Sequence, residues 1–207
     1  MIVPEPLAAW PFDGDLLDAT GHGHDLTPSS GPGFTTGFVY TQAWNSGEAA
    51  SAALGGPSRT WATTPMAWVA WVGAPTGGSG DGGISNFTDG AARQLVLTFL
   101  WNPGLEVDVN LNGTFHSFTG LGSGPWFHLA ITWDLAIVRF YVDGVQHSSF
   151  SGSPMNLFQW STCVCDFSPE DLVQFSLSDY VLLVGDTLGP EDVALLFESG
   201  APYPLSP

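Results

Sequence analysis

Trp126-Phe-His-Leu-Ala-Ile-Thr-Trp-Asp134, followed after a short connection by Arg139-Phe-Tyr-Val-Asp-Gly144, is the stretch on which the fold turns. Phe127, Leu129, Ile131 and Trp133 alternate with His128, Ala130 and Thr132, and Val138, Phe140 and Val142 alternate in the second run. Alternation with period two puts one set of side chains on one face of a strand. Asp143-Gly144 is a tight-turn pair. Two extended strands are predicted here, with Trp133 and Phe140 in the core.

The same pattern extends outward. Met66 to Val72 reads as a strand with Met66, Trp68, Ala70 and Val72 on one face. Leu95 to Trp101, the turn Asn102-Pro103-Gly104, Leu105 to Val109, the turn Asn112-Gly113 and Thr114 to Thr119 follow, and Val173 to Val184 is again extended. Short strands at this spacing, with antiparallel turn chemistry, predict two packed sheets. Gly73 to Gly83 reads as one long loop. One helix is expected, opened by Pro190 with Glu191 and Asp192 in its first turn, faced by Val193, Leu195, Leu196 and Phe197, and ended by Gly200. The expected architecture is all-β, a sandwich of two antiparallel sheets with one short C-terminal helix.

The 207 residues fit a single domain, with residues 1–6 as an N-terminal arm and 201–207 as a C-terminal tail. The hydrophobic share of 44% and aromatic share of 13% supply a large core, which excludes a disordered chain. Gly and Pro, 26 and 16 of them spread throughout, exclude an all-helical fold. There is no Lys, and Arg59, Arg93 and Arg139 stand against 20 Asp and Glu, a net charge of −17. Nucleic acids and anionic membranes are thereby excluded as partners, because both need a basic surface. No run approaches the roughly 20 apolar residues that cross a bilayer.

The stretch Trp10-Pro-Phe-Asp-Gly-Asp-Leu-Leu-Asp18-Ala-Thr-Gly-His-Gly-His-Asp25 resembles the opening of laminin-G-like, concanavalin A-like lectin/glucanase domains. The Trp126–Gly144 stretch is similar to that family's central hairpin, and Ser178-Asp179-Tyr-Val with Leu188 to Phe197 to its last strand and closing helix. The resemblance implies a jelly-roll of two curved antiparallel sheets. Two departures stand out: His22 and His24 replace the usual Asn residues, and Leu135-Ala136 replaces the glycine after Trp133-Asp134. The first puts a loop-borne metal site in question and the second predicts a rebuilt hairpin turn.

Candidate chemistry is sparse. Glucanases of this fold carry Glu-x-Asp-x-x-Glu on one strand, with alternate carboxylates as nucleophile and acid. Glu106-Val-Asp108 begins that pattern, but Leu111 stands where the second Glu belongs. No nucleophile elbow, His-Glu-x-x-His helix or phosphate loop is present. No catalytic residue is expected.

Calcium needs six or more oxygens, commonly including two or three carboxylates. Asp13 and Asp18 flank the first loop, and the resemblance brings Asp179 near it, so Asp18 and Asp179, with Asp13 as a third, are candidates to hold one structural Ca²⁺; the alternative is plain turn chemistry, in which each Asp bonds its own backbone. His22-x-His24 reads as polar surface rather than a zinc site. Cys163 and Cys165 are too close in sequence to bridge each other readily and read as structural.

Sugar recognition needs an aromatic platform. Trp44, Trp101 and Trp160 lie in or beside loops and are the candidate ligand-binding residues, burial against a partner subunit being the alternative for each. The start, Met1-Ile-Val-Pro-Glu-Pro, has no secretory-signal pattern. The expectation is therefore a non-catalytic lectin-like adhesive module on a virion surface: a capsid decoration, fibre or host-binding component, with capsid or identical subunits and cell-surface glycans as partners. A stand-alone extracellular lectin domain is the alternative, with a glycoside hydrolase the weaker one.

Overall fold

The computed structural model describes residues 4–28, 33–45, 50–53, 59–60, 65–74, 80–88, 93–101, 105–111, 114–119, 124–151, 156–157, 161–164 and 175–204. One sheet has the order β14 (Val145–Ser151), β13 (Ile137–Val142), β12 (Trp126–Trp133), β7 (Met66–Gly73), β17 (Ser176–Val184), β4 (Gln42–Asn45) and β3 (Phe34–Thr36). An eighth strand, β1 (Ala8–Trp10), also pairs with β17. The second sheet runs β11 (Thr114–Thr119), β10 (Leu105–Leu111), β9 (Arg93–Trp101), β8 (Gly80–Thr88), β16 (Ser161–Val164), β5 (Ala50–Ala53) and β2 (Thr27–Pro28). A short pair, β15 (Asn156–Leu157) with β6 (Arg59–Thr60), completes the described strands. Every described pairing is antiparallel, as the turn chemistry predicts.

The alternation in β12 and β13 sets the register, with Ile131 opposite Phe140 and Trp133 opposite Val138. Their inward side chains join Trp68, Ala70 and Val72 of β7, Leu177, Tyr180 and Leu182 of β17, and Val107, Val109 and Phe118 of the second sheet. Trp68, Trp133 and Phe140 are core residues, as expected. Burying each such ring contributes roughly 2–3 kcal/mol.

The eight-stranded sheet is covered on its other face too. α1 (Pro190–Ser199) lays Val193 and Leu196 on Ala67, Val69, Ala130, Tyr141, Val181 and Leu183, and Tyr203 joins them from the tail. The helix begins at Pro190, where the Asp192 carboxylate accepts the Gly189 N–H at 3.0 Å. It ends at Gly200, as predicted.

Gly80–Gly83 is not loop but the start of β8, paired with Trp101, Phe99 and Thr98 of β9. Glycine keeps its backbone donor and acceptor, and a long apolar partner strand supplies the order that its propensity lacks. The Asp134–Ile137 connection is indeed rebuilt: Leu135 sits at φ +80, and Asp134 Oδ1 accepts the N–H groups of Ala136 and Ile137. Asp143-Gly144 turns with φ +49 and +76, the mirror-image turn suited to the strand twist. The turns at 102–104 and 112–113 lie outside the described residues.

Candidate functional site

Trp71 is three residues from Trp68, so the pleat sends its indole outward, and Trp126 and His128 point outward for the same reason. Pairing aligns His128, Trp71 and Ser178 in one row across β12, β7 and β17, and Trp126, Gly73 and Ser176 in the next. The Trp126 ring lies against Gly73, where an added Cβ would meet it at 3.4 Å. From the turn of residues 37–41, between β3 and β4, Phe38 packs on Trp71 with ring centres 4.4 Å apart, and 6.0 Å from Trp126. Phe197 of α1 closes the other side, 5.9 Å from Trp71 and 6.2 Å from His128.

The rings form a graded shelf. Trp71 is buried, Trp126 is half-buried, and Phe38 keeps 48% of its surface in water. His128 lies beneath at 1% exposure, with Nδ1 lacking a hydrogen-bond partner among the described residues, and burial pushes its pKa down to about 4. Its imidazole is therefore neutral at neutral pH. A neutral, enclosed imidazole packed against Trp71 and Phe197 offers stacking and shape, not proton transfer to a bound molecule.

The three candidate calcium ligands each accept hydrogen bonds from protein donors. Asp18 is 7% exposed, and its carboxylate accepts the N–H groups of Ala9, Thr20 and His24 and the Thr20 hydroxyl at 2.8–3.1 Å. Burial alone would raise its pKa, but these hydrogen bonds outweigh it and hold the carboxyl below the usual range. Asp13 Oδ1 accepts the Thr41 hydroxyl at 2.6 Å and the Gln42 N–H at 3.1 Å. Asp179 Oδ2 accepts the Tyr203 N–H at 2.8 Å, and its carboxyl also takes the Tyr40 hydroxyl. Protein donors engage each of these carboxylates, and among the described residues no three His, Cys, Asp or Glu gather as a metal site.

Of the expected platform residues, Trp44 is corrected. It is fully buried in β4, packed between Phe12 and Phe34, and cannot stack on a ligand. The backbone of Trp101 ends β9, its side chain lies outside the described residues, and so does Trp160 altogether. Cys163 is on β16 and Cys165 is outside the described residues. Glu106 and Asp108 are partly exposed on β10, while Val107 and Val109 between and after them enter the core. His22 is an exposed residue whose Nδ1 lies 3.0 Å from the Leu7 carbonyl, and His24 is buried, its carbonyl accepting the Trp10 Nε1–H. Phe38, Trp71 and Trp126 were not among the expected ligand-binding residues. The signal for the last two was parity: both fall on the strand face opposite the core set.

The family model described as Concanavalin A-like lectin/glucanases superfamily, of laminin-G type, matches residues 46–175, more than half of the chain. The chain belongs to this superfamily. Its solved likenesses share the fold. The concanavalin A-like sandwich superposes on the botulinum neurotoxin serotype D binding domain with a TM-score of 0.73 at 14% identity, covering 94% of this chain and 52% of that one. The serotype D ligand-binding domain in complex with N-acetylneuraminic acid gives 0.72 at 15%, covering 94% and 51%. Domain 4 of AbnA, a GH43 extracellular arabinanase from Geobacillus stearothermophilus, in complex with arabinotriose, gives 0.71 at 17%, covering 93% and 98%. The chain thus spans about half the length of the neurotoxin binding domains but nearly all of the arabinanase domain. No curated protein matches it by sequence. Among the described residues no helix is long and apolar enough to cross a membrane.

Proposed function

We propose that this chain is a non-catalytic carbohydrate-binding module that stacks an uncharged glycan on the shelf of Phe38, Trp71 and Trp126. The observation that carries this is Phe38: a large apolar ring, half in water, seated on a tryptophan with a second tryptophan beside it. Such a surface is costly to leave bare and matches the apolar C–H face of a pyranose or furanose ring. Leu111, in place of a second strand carboxylate, supports a binding rather than a cleaving role.

Charge selects the glycan class. A chain with net charge −17 and no Lys repels sialic acids, uronates and sulfated sugars. Among the described residues the Arg139 guanidinium is held by Asp134 at 2.6 Å. Neutral sugars, as in the arabinotriose bound by the arabinanase domain, suit this surface better than N-acetylneuraminic acid. Such a module would serve equally on a virion surface, as a decoration, fibre or host-binding component, or in an extracellular protein. Co-sedimentation with empty capsids separates those settings.

A glycan array carrying neutral and sialylated structures tests the function. Binding is expected on neutral glycans, and Phe38→Ala is expected to weaken it on the order of tenfold, the worth of one stacked ring. The melting temperature should hardly move, because Phe38 is half exposed. Selective binding of sialylated glycans, or affinity indifferent to Phe38→Ala, would sink this reading.

A further inference from the structure

We propose that Asp13 and Asp179 are positioning residues for the shelf: they clamp the turn of residues 37–41 from both sides and so fix Phe38 over Trp71. This rests on the glycan reading above and concerns how that site is held ready. The two carboxylates come from distant parts of the chain. Asp13, in the loop after β1, takes the Thr41 hydroxyl and the Gln42 N–H. Asp179, in β17, takes the Tyr40 hydroxyl and simultaneously the Tyr203 N–H. The Phe38 side chain has no polar atom to anchor, so its neighbours two to four positions on do the holding.

The turn is built to be held. Its ends are closed by the Gly37 N–H donating to the Thr41 carbonyl at 3.2 Å. A Cβ on Gly37 would run into the carbonyl oxygens of Tyr40 and Gln42, so no other residue fits there. Asp179 sits at the irregularity in β17 where its pairing passes from β4, at Ser176 and Leu177, to β1, at Tyr180 to Leu182. An irregularity of this kind re-aims a side chain.

Two strained backbone positions lie at the same place. Among the described residues four other than glycine have positive φ: Phe12, Leu135, Asp143 and Asp179. Asp143 lies in a mirror-image hairpin turn, where such backbone is ordinary, and Leu135 strains the connection between β12 and β13. Phe12 and Asp179 lie beside or at the two jaws of the clamp, Phe12 at φ +61 immediately before Asp13 and Asp179 at φ +53. Backbone strain held by surrounding structure clusters where a sequence serves a site rather than its own stability. Asp179 adds burial of a carboxylate, at 6% exposure, to its strained backbone. A turn fixed before the sugar arrives loses less freedom on binding.

Tyr40→Phe and Thr41→Val each remove one clamp bond while leaving both carboxylates and all shelf rings in place; Asp15→Asn serves as a control in the same acidic loop. Two readouts are needed: amide hydrogen exchange over residues 37–42, which requires no sugar, and affinity for arabinotriose as the neutral probe. Each clamp variant should raise exchange in that segment about tenfold and weaken binding about fivefold, the cost of re-ordering a freed side chain. Unchanged exchange in both variants overturns the clamp, whatever the sugar does. Raised exchange with unchanged affinity overturns the positioning role. Faster exchange together with a wild-type protein that binds no neutral glycan upholds the clamp and defeats the glycan reading instead. Calcium that raises the melting temperature of the wild type but not of Asp179→Asn would overturn the proposal, since the carboxylates would then serve an ion.

Discussion

Asp18 gathers three backbone N–H groups and one hydroxyl onto a single carboxylate, and so organises the whole turn from Ala9 to His24. The charge is kept because those donors stand in for water. Asp25 extends the arrangement by accepting the Asp18 N–H at 2.8 Å. Asp18→Ala would strand the buried N–H groups of Ala9 and His24 and is expected to cost about 2–4 kcal/mol, read as a lowered urea midpoint. Asp18→Asn keeps one acceptor oxygen and should cost roughly half as much. A structural ion at this loop would instead make the loss vanish in chelator, which strips the wild type to the same level. The sequence singled out this residue and left two readings open, a metal ligand and a turn anchor. Asp in a Gly-rich loop serves a metal and a turn equally well, and only the three-dimensional positions of the N–H groups distinguish them.

At the scale of elements, the β12–β13 hairpin carries its own test. Leu135 takes φ +80, a region that costs a branched, bulky residue about 1–2 kcal/mol, and its side chain is 40% exposed and so recovers little by burial. Leu135→Gly should therefore stabilise the protein by about 0.5–1 kcal/mol, the relief being partly offset by the freer unfolded chain. A lowered melting temperature would show that the Leu135 side chain contributes packing that its exposure conceals. Elements with strict alternation, such as β12 and β13, were legible because parity alone fixes which residues meet in the core. Gly80–Gly83 was not, since its order comes from β9 rather than from its own side chains. Trp44 was misjudged for a related reason: a tryptophan beside Asn45 reads as loop-borne, whereas Phe12 and Phe34 arrive from elsewhere in the chain to enclose it.

Across the whole molecule, the shelf joins residues 38, 71 and 126 and its clamp joins residues 13 and 179, distances in sequence that no local pattern records. The same long-range packing buries two titratable groups whose effects on stability oppose each other. His128 falls from 6.5 to about 4 on burial, so its contribution is present above pH 6.5 and is lost as pH falls toward 4. Asp179 is moved the other way, from 3.8 to about 6, chiefly by burial against the hydrogen bonds of Tyr203 and Tyr40. Its contribution is present below pH 3.8 and is lost as pH rises through 6. Each shift corresponds to something on the order of 3 kcal/mol, and the two windows nearly coincide, so between pH 4 and 6.5 the pair should leave the wild-type unfolding free energy almost level. Separating them exposes the slopes. His128→Leu removes the imidazole that must stay neutral, leaving stability that rises as pH falls from 6.5 to 4. Asp179→Asn removes the ionisable acid while keeping an acceptor for Tyr203, leaving stability that falls over the same range. Urea unfolding at half-unit steps of pH measures both curves. Parallel curves for the two variants would mean that neither group is buried in the state that unfolds, and the packing of both the helix-covered face and the Asp179 junction would have to be redrawn.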